Sequence, residues 1–205
     1  MNLPKLKSII FKLFLFLLCF ITQSLDACAN DSVKRSNLLP DHVKLQFAGG
    51  IGFLSIGAGY SSANEKFEGD LFYGYVPESA GGVTIHALSA KITWLPVKTI
   101  PVKGLGLKPF TSGLIVNYTF GKQYFGFTPD NYPYDYYNHP TNLHLGLFIG
   151  GQLRNNFKPE KKIKQMALYY ELITFDTELL SYVKNTKTIK IHDILNLGIG
   201  IKTNF

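Results

Sequence analysis

The sequence predicts an all-β chain folded as an antiparallel up-and-down β-barrel of eight strands. Three observations carry this expectation. Tyr, Phe, Ile, Val and Thr fill short intervals punctuated by Pro and Gly, which is strand composition. Within most intervals apolar residues alternate with small or polar ones, so each segment has two unlike faces. The less apolar face is rich in Gly, Asn, Ser and Thr and carries few charges. Such a face suits the inside of a narrow barrel better than the wetted outside of a sandwich.

Composition narrows the classes further. The 205 residues are 46% hydrophobic, 14% aromatic and only 17% charged, which excludes intrinsic disorder. Cys19 and Cys28 are the two cysteines, too few for a disulfide scaffold or a Cys-rich zinc module. The formal net charge of +7 raises anionic membranes and nucleic acid as partners. No nucleic-acid fold signature accompanies it, so no nucleic-acid partner is expected.

The chain opens with an address. Residues 1–29 read as a signal peptide: Lys5, Lys7 and Lys12 form a basic start, Leu13 to Ile21 an apolar core, and Ala27-Cys28-Ala29 a small-x-small cleavage site. Leu25-Asp26-Ala27-Cys28 also spells a lipobox with Asp26 out of pattern, so lipidation of Cys28 stays open. Removing 1–29 takes away three Lys and one Asp, and +7 becomes +5. Residues 30–41 are expected as a short periplasmic segment and 42–205 as the barrel domain. After Ile21 no apolar stretch is long enough for a membrane helix.

The strands follow in order. Val43, Leu45 and Phe47 alternate with Lys44 and Gln46, and Leu54, Ile56, Ala58 and Tyr60 with Ser55, Gly57 and Gly59. Between them Gly49-Gly50-Ile51-Gly52 is either a tight turn or a bulge. Over 66–76, Phe67, Leu71, Tyr73 and Tyr75 oppose Lys66, Glu68 and Asp70. Over 83–95, Leu88, Ala90, Ile92 and Trp94 oppose Ser89, Lys91 and Thr93. Phe110, Leu114, Val116, Tyr118 and Phe120 form one face of 109–120, and Leu143, Leu145, Leu147, Ile149 and Leu153 one face of 142–153. In 165–176 Met166, Leu168, Tyr170 and Leu172 share a face, although Ile173 and Phe175 blur the pattern. The last strand is read from Ile191 to Phe205, with Leu195, Leu197, Ile199 and Ile201 on one side and Gly198, Gly200 and Lys202 on the other.

With both ends of the barrel domain on the periplasmic side, the external loops are about 49–52, 77–82, 121–141 and 177–190. The internal ones are about 61–65, 96–108 and 154–164. The two longest loops then fall outside, as in outer-membrane barrels, while 96–108 is long for a periplasmic turn. Outward Trp94, Phe110, Tyr118, Phe120 and Tyr75 suit interface girdles.

The closing segment Leu195-Asn196-Leu197-Gly198-Ile199-Gly200-Ile201-Lys202-Thr203-Asn204-Phe205, behind a signal peptide, resembles that of the small outer-membrane β-barrel proteins of Gram-negative bacteria. The resemblance covers 42–205 as architecture and implies residence in the outer membrane. It also implies that Leu197, Ile199, Ile201 and Phe205 form an insertion signal read by the barrel-assembly machinery. Lipid bilayer and lipopolysaccharide are the partners it implies.

Chemistry is sparse. No P-loop, dinucleotide motif, HExxH or CxxC is present, and no cofactor or metal is expected. Ser89 lies three residues from His86, so on a strand the two face opposite ways and cannot act as a neighbouring nucleophile–base pair. The inward charges Glu68, Asp70, Lys91, Glu171 and Lys202 are expected to form a polar plug, with Glu171 paired to Lys91 or Lys202. The segment 124–140 is rich in Tyr and Pro. Its Tyr132, Tyr134, Asp135, Tyr136, Tyr137 and Asn138 are candidates for binding an extracellular glycan or protein. The expected role is non-enzymatic, structural or surface-interacting. A lipid A or phospholipid-modifying enzyme and a soluble periplasmic β-sandwich are the alternatives.

Overall fold

The structure is a computed structural model that describes residues 39–121, 123–124, 141–157 and 163–205. Nine strands form one antiparallel sheet: β1 His42–Ala48, β2 Leu54–Ser61, β3 Phe67–Val76, β4 Ile85–Trp94, β5 Ile100–Val102, β6 Leu105–Phe120, β7 Leu143–Asn156, β8 Gln165–Phe175 and β9 Asn196–Asn204. β1 pairs with β9, and β4 pairs with β6 past the short β5. Eight strands therefore close on themselves as a barrel, and β5 is a small arm on β6. Closure excludes the sandwich, which would leave two open sheets.

Turn chemistry explains the joins. Gly49 and Gly50 have φ of +80° and +75°, which glycine adopts without strain. The Ala48 N–H donates to the Phe53 carbonyl at 3.2 Å. The 49–52 segment is thus a tight turn, and Ile51 folds back to close the barrel top, 1% exposed. A short helix, α1 (Glu78–Gly81), joins β3 to β4.

Four expected boundaries move. The predicted 96–108 turn contains the β5–β6 hairpin, whose two-residue loop Lys103-Gly104 has φ of +48° and +84°. β6 consequently begins at Leu105 rather than 109, and β7 runs on to Asn156 opposite the extension. β4 starts at Ile85 rather than 83. Residues 191–194 are not strand: they form a 3₁₀ turn in which the Asp193 carboxylate accepts from the Lys190 N–H at 2.9 Å. This local bond competes with the ladder, and β9 begins at Asn196. The predicted loop 177–190 holds a helix, α2 (Asp176–Lys184).

The two faces of the wall differ as the alternation requires. Leu71, Ile92, Leu114, Leu145 and Leu168 stand outward and are 55–59% exposed. Trp94, Phe110, Tyr118, Phe120 and Tyr75 are outward as well. The interior is not the small, mildly polar space that the composition suggests. Ile51, Phe72, Ile115, Phe148, Ile173 and Phe175 pack into a buried apolar cluster. Ile173 and Phe175 belong to it, which is why they break the outward pattern of β8.

Inward glycines make room for these rings. A Cβ at Gly57 would lie 2.6 Å from the Phe72 ring, one at Gly146 2.9 Å from Phe175, and one at Gly200 against the Tyr169 ring. Large and small inward residues alternate around the wall, as a narrow barrel needs. Gly200→Ala should destabilise the barrel by about 1–3 kcal/mol through overpacking. Trimming the ring with Tyr169→Leu in the same chain should recover part of the loss. Urea titration of both variants measures the difference, and an additive pair would refute the packing account.

Candidate functional site: the charged interior

Below the apolar cluster the inner face carries charge. β1 contributes His42, Lys44 and Gln46 at alternate positions, all at most 4% exposed. β3 contributes Glu68 and Asp70, β4 Lys91, β8 Tyr169 and Glu171, and β9 Lys202. Register brings them together: Lys44 is opposite Lys202, and Asp70 opposite Lys91.

Each charge finds a partner. Lys44 Nζ donates to Asp70 Oδ2 at 2.7 Å and Glu68 Oε2 at 3.0 Å. Lys202 Nζ donates to Glu68 Oε1 at 2.5 Å. His42 Nε2 bonds Asp70 Oδ1 at 2.6 Å, and Ser61 Oγ lies 3.3 Å from Nδ1. The carboxylate assigns the ring proton to Nε2 and leaves Nδ1 to accept from the serine. Lys91 pairs with Glu171 and lies 4.6 Å and 5.0 Å from the ring centres of Phe148 and Phe72. Lys91 thus joins the charged layer to the apolar one, with cation–π attraction offsetting part of its desolvation. Gln46 Oε1 accepts from Tyr169 at 3.1 Å.

The lower end is closed by Arg154 and Lys108. Arg154 Nη1 lies 3.1 Å from Glu65 Oε2, and Arg154 Nη2 3.7 Å from Glu68 Oε1. Lys108 Nζ is 3.7 Å from the Glu65 carboxylate. Glu65 stands on the β2–β3 turn, 67% exposed, and reaches across the mouth. At the upper end His144 Nδ1 is 3.1 Å from Asp176, and Glu178 accepts from Asn196 Nδ2 at 2.9 Å.

All five charges expected inside, Glu68, Asp70, Lys91, Glu171 and Lys202, are buried there. Of the two partners considered for Glu171, Lys91 holds it, and Lys202 goes to Glu68. His42, Lys44, Gln46 and Tyr169 join them in the interior, at positions that period-two spacing from the expected charges places on the inward face. Leu197, Ile199, Ile201 and Phe205 lie on or beside β9, with Leu197 and Ile199 outward and exposed. Tyr132, Tyr134, Asp135, Tyr136, Tyr137 and Asn138 lie outside the described residues. Ser89 is fully buried and donates to Asn117, whereas His86 lies with Tyr73 at 2.6 Å on the other face, so this pair is not assembled.

One grouping was not anticipated. Donor atoms of His42, Glu68 and Asp70 lie within 4.8 Å of one another. The ammonium groups of Lys44 and Lys202 already rest on both carboxylates, so the geometry describes an ion-pair network. Comparison with protein-family models, curated proteins and solved structures finds no match to this chain.

Removing one member of the Lys91–Glu171 pair leaves a buried charge alone. Lys91→Met should cost about 3–5 kcal/mol, and Lys91→Met with Glu171→Leu should recover most of it. Glu65→Gln, at an exposed bridge, should cost under about 1 kcal/mol. Denaturant midpoints give all three values. A double variant no better than the single one would show that the pair does not act as a unit.

Proposed function

We propose that the chain is an integral β-barrel of the Gram-negative outer membrane, with a plugged interior and a structural or surface-interaction role. The observation that carries this reading is the inversion of polarity. Leu, Ile, Val and aromatic side chains cover the outside of a closed wall, while Lys44, Glu68, Asp70, Lys91, Glu171 and Lys202 are buried inside. In water such a wall would expose apolar area far beyond an ordinary patch. In a bilayer the same area is at home, and closure leaves no unpaired strand edge in the lipid.

Other features support the reading. The signal-like segment 1–29 would deliver the chain to the periplasm. Outward Leu197 and Ile199, with Ile201 and Phe205, offer the assembly machinery an apolar edge. Lys184, Lys187 and Lys190, beside α2, suit the phosphates of lipopolysaccharide. The Tyr-rich segment from Tyr132 to Asn138 is the surface proposed to meet a glycan or protein outside the cell. Cross-linked charges and a packed ring cluster fill the lumen, so the role is not that of an open pore.

Heat-modifiable migration tests the membrane reading. Extracted in detergent, the unboiled protein should run at a different position from the boiled one. It should also remain with membranes after osmotic shock. Release as a soluble species whose migration is unchanged by boiling would refute it. In planar bilayers the protein should give no large stable conductance, and a steady open channel would refute the plug.

A further inference from the structure

The wall has one irregular place. The β6–β7 register shifts between Lys108 and Thr111. Pro109 sits inside that shift and has no N–H to give the ladder. Opposite it, Gly150, Gly151 and Gln152 are buried in succession, so β7 loses its alternation there. Gly151 faces the Pro109 carbonyl and the Tyr170 ring with no side chain of its own. A groove of about 380 Å³ results, within the ~300–1,000 Å³ range of ligand sites.

Its lining changes character with depth. Leu153, Leu168, Tyr170 and Ile199 are outward wall residues, 38–55% exposed, and form an apolar trough continuous with the outer belt. Lys108 and Gln152 lie in the floor and are 3% and 6% exposed. The closest polar contacts of the Lys108 ammonium are at 3.5 Å and 3.7 Å, both to Glu65. Gln152 stands directly opposite Lys108 in the β6–β7 pairing, just before the register shifts. Charge also points here: five buried cations, Lys44, Lys91, Lys108, Arg154 and Lys202, face three buried carboxylates, Glu68, Asp70 and Glu171. Glu65 reduces that excess without removing it.

We propose that this groove binds one phospholipid. An acyl chain lies along Leu153, Leu168 and Tyr170, and the phosphate reaches Lys108 and Gln152 beside Pro109. The inference rests on the membrane reading above and names a ligand for its outer wall. A phospholipid fits better than lipopolysaccharide because the groove lies toward the end where β1 starts and β9 finishes, the periplasmic side in the proposed orientation.

Native mass spectrometry of protein extracted from membranes in a mild non-ionic detergent tests it. The unaltered chain should retain one phospholipid per barrel. Leu168→Trp, which fills the trough, and Lys108→Met, which removes the phosphate partner, should each lower occupancy by about tenfold. Leu114→Trp, elsewhere on the outer wall, should not. The boiled–unboiled shift of every variant reports folding. A folded, membrane-inserted chain with no retained phospholipid, or with lipopolysaccharide in its place, overturns the groove alone. Equal retention by Leu168→Trp and Leu114→Trp does the same. A chain that never enters the membrane overturns both readings.

Discussion

A closed wall of eight strands encloses a space that side chains alone must fill. Water cannot enter in quantity, and every inward group has to meet another inward group. The chain meets this constraint in two layers. Toward the top, Phe72, Phe148 and Phe175 stack against Ile51, Ile115 and Ile173, each ring seated where an inward glycine leaves room. Toward the bottom, carboxylates and ammonium groups interlock. Lys91 belongs to both layers, held by Glu171 on one side and by two aromatic faces on the other.

Burial of so many charges is not a stabilising device in itself, because desolvation offsets much of the Coulomb gain. Its consequence is specificity. A strand slipped by one residue would turn Lys44 or Glu68 into the apolar surroundings of the wall and pull Leu45 or Phe67 inward. Lys44 reaches Glu68 and Asp70 from across β2, and Lys202 reaches Glu68 from the far side of β1. The Lys202–Glu68 pair spans the closing β1–β9 seam, so the network and the closure support each other. Glu65 extends the same logic to the mouth, where it meets Lys108 and supplements the longer Glu68 contact of Arg154.

Legibility in the sequence follows the physics of each part. Period-two alternation is imposed by the wall itself, so strand existence, the two faces and all five expected interior charges could be read directly. Tyr169 was harder, since a tyrosine is as suited to the outer girdle as to the lumen. Ile173 and Phe175 looked like noise because an apolar inner layer shares its residue types with the outer face. Arg154 and Lys108 fell in segments expected to be turns, where a proline-rich run concealed the β5–β6 hairpin. The pairing of Glu171 with Lys91 rather than Lys202 depends on rotamers and depth, which no spacing rule contains. The 3₁₀ turn at 191–194 continues the apolar alternation in sequence, and reciprocal bonds between Asp193 and the Lys190 backbone hold it out of the strand.

The irregularity at Pro109 is placed where the wall can bear it. β6 extends past the end of β4, so Gly106 and Leu107 pair with β5 on one side and β7 on the other, outside the closed circuit. A lost ladder bond just above that extension does not open the seam of the barrel. The same position lies beside a cation-rich part of the interior, where Lys108 is held only by the exposed Glu65 and Arg154 shares that carboxylate while reaching Glu68 at 3.7 Å. Weak backbone pairing lets the apolar outside and the cationic inside come within reach of one molecule. Elsewhere on the described wall the two environments are separated by a continuous ladder, so an amphiphile with an anionic head finds both of its complements at this one place.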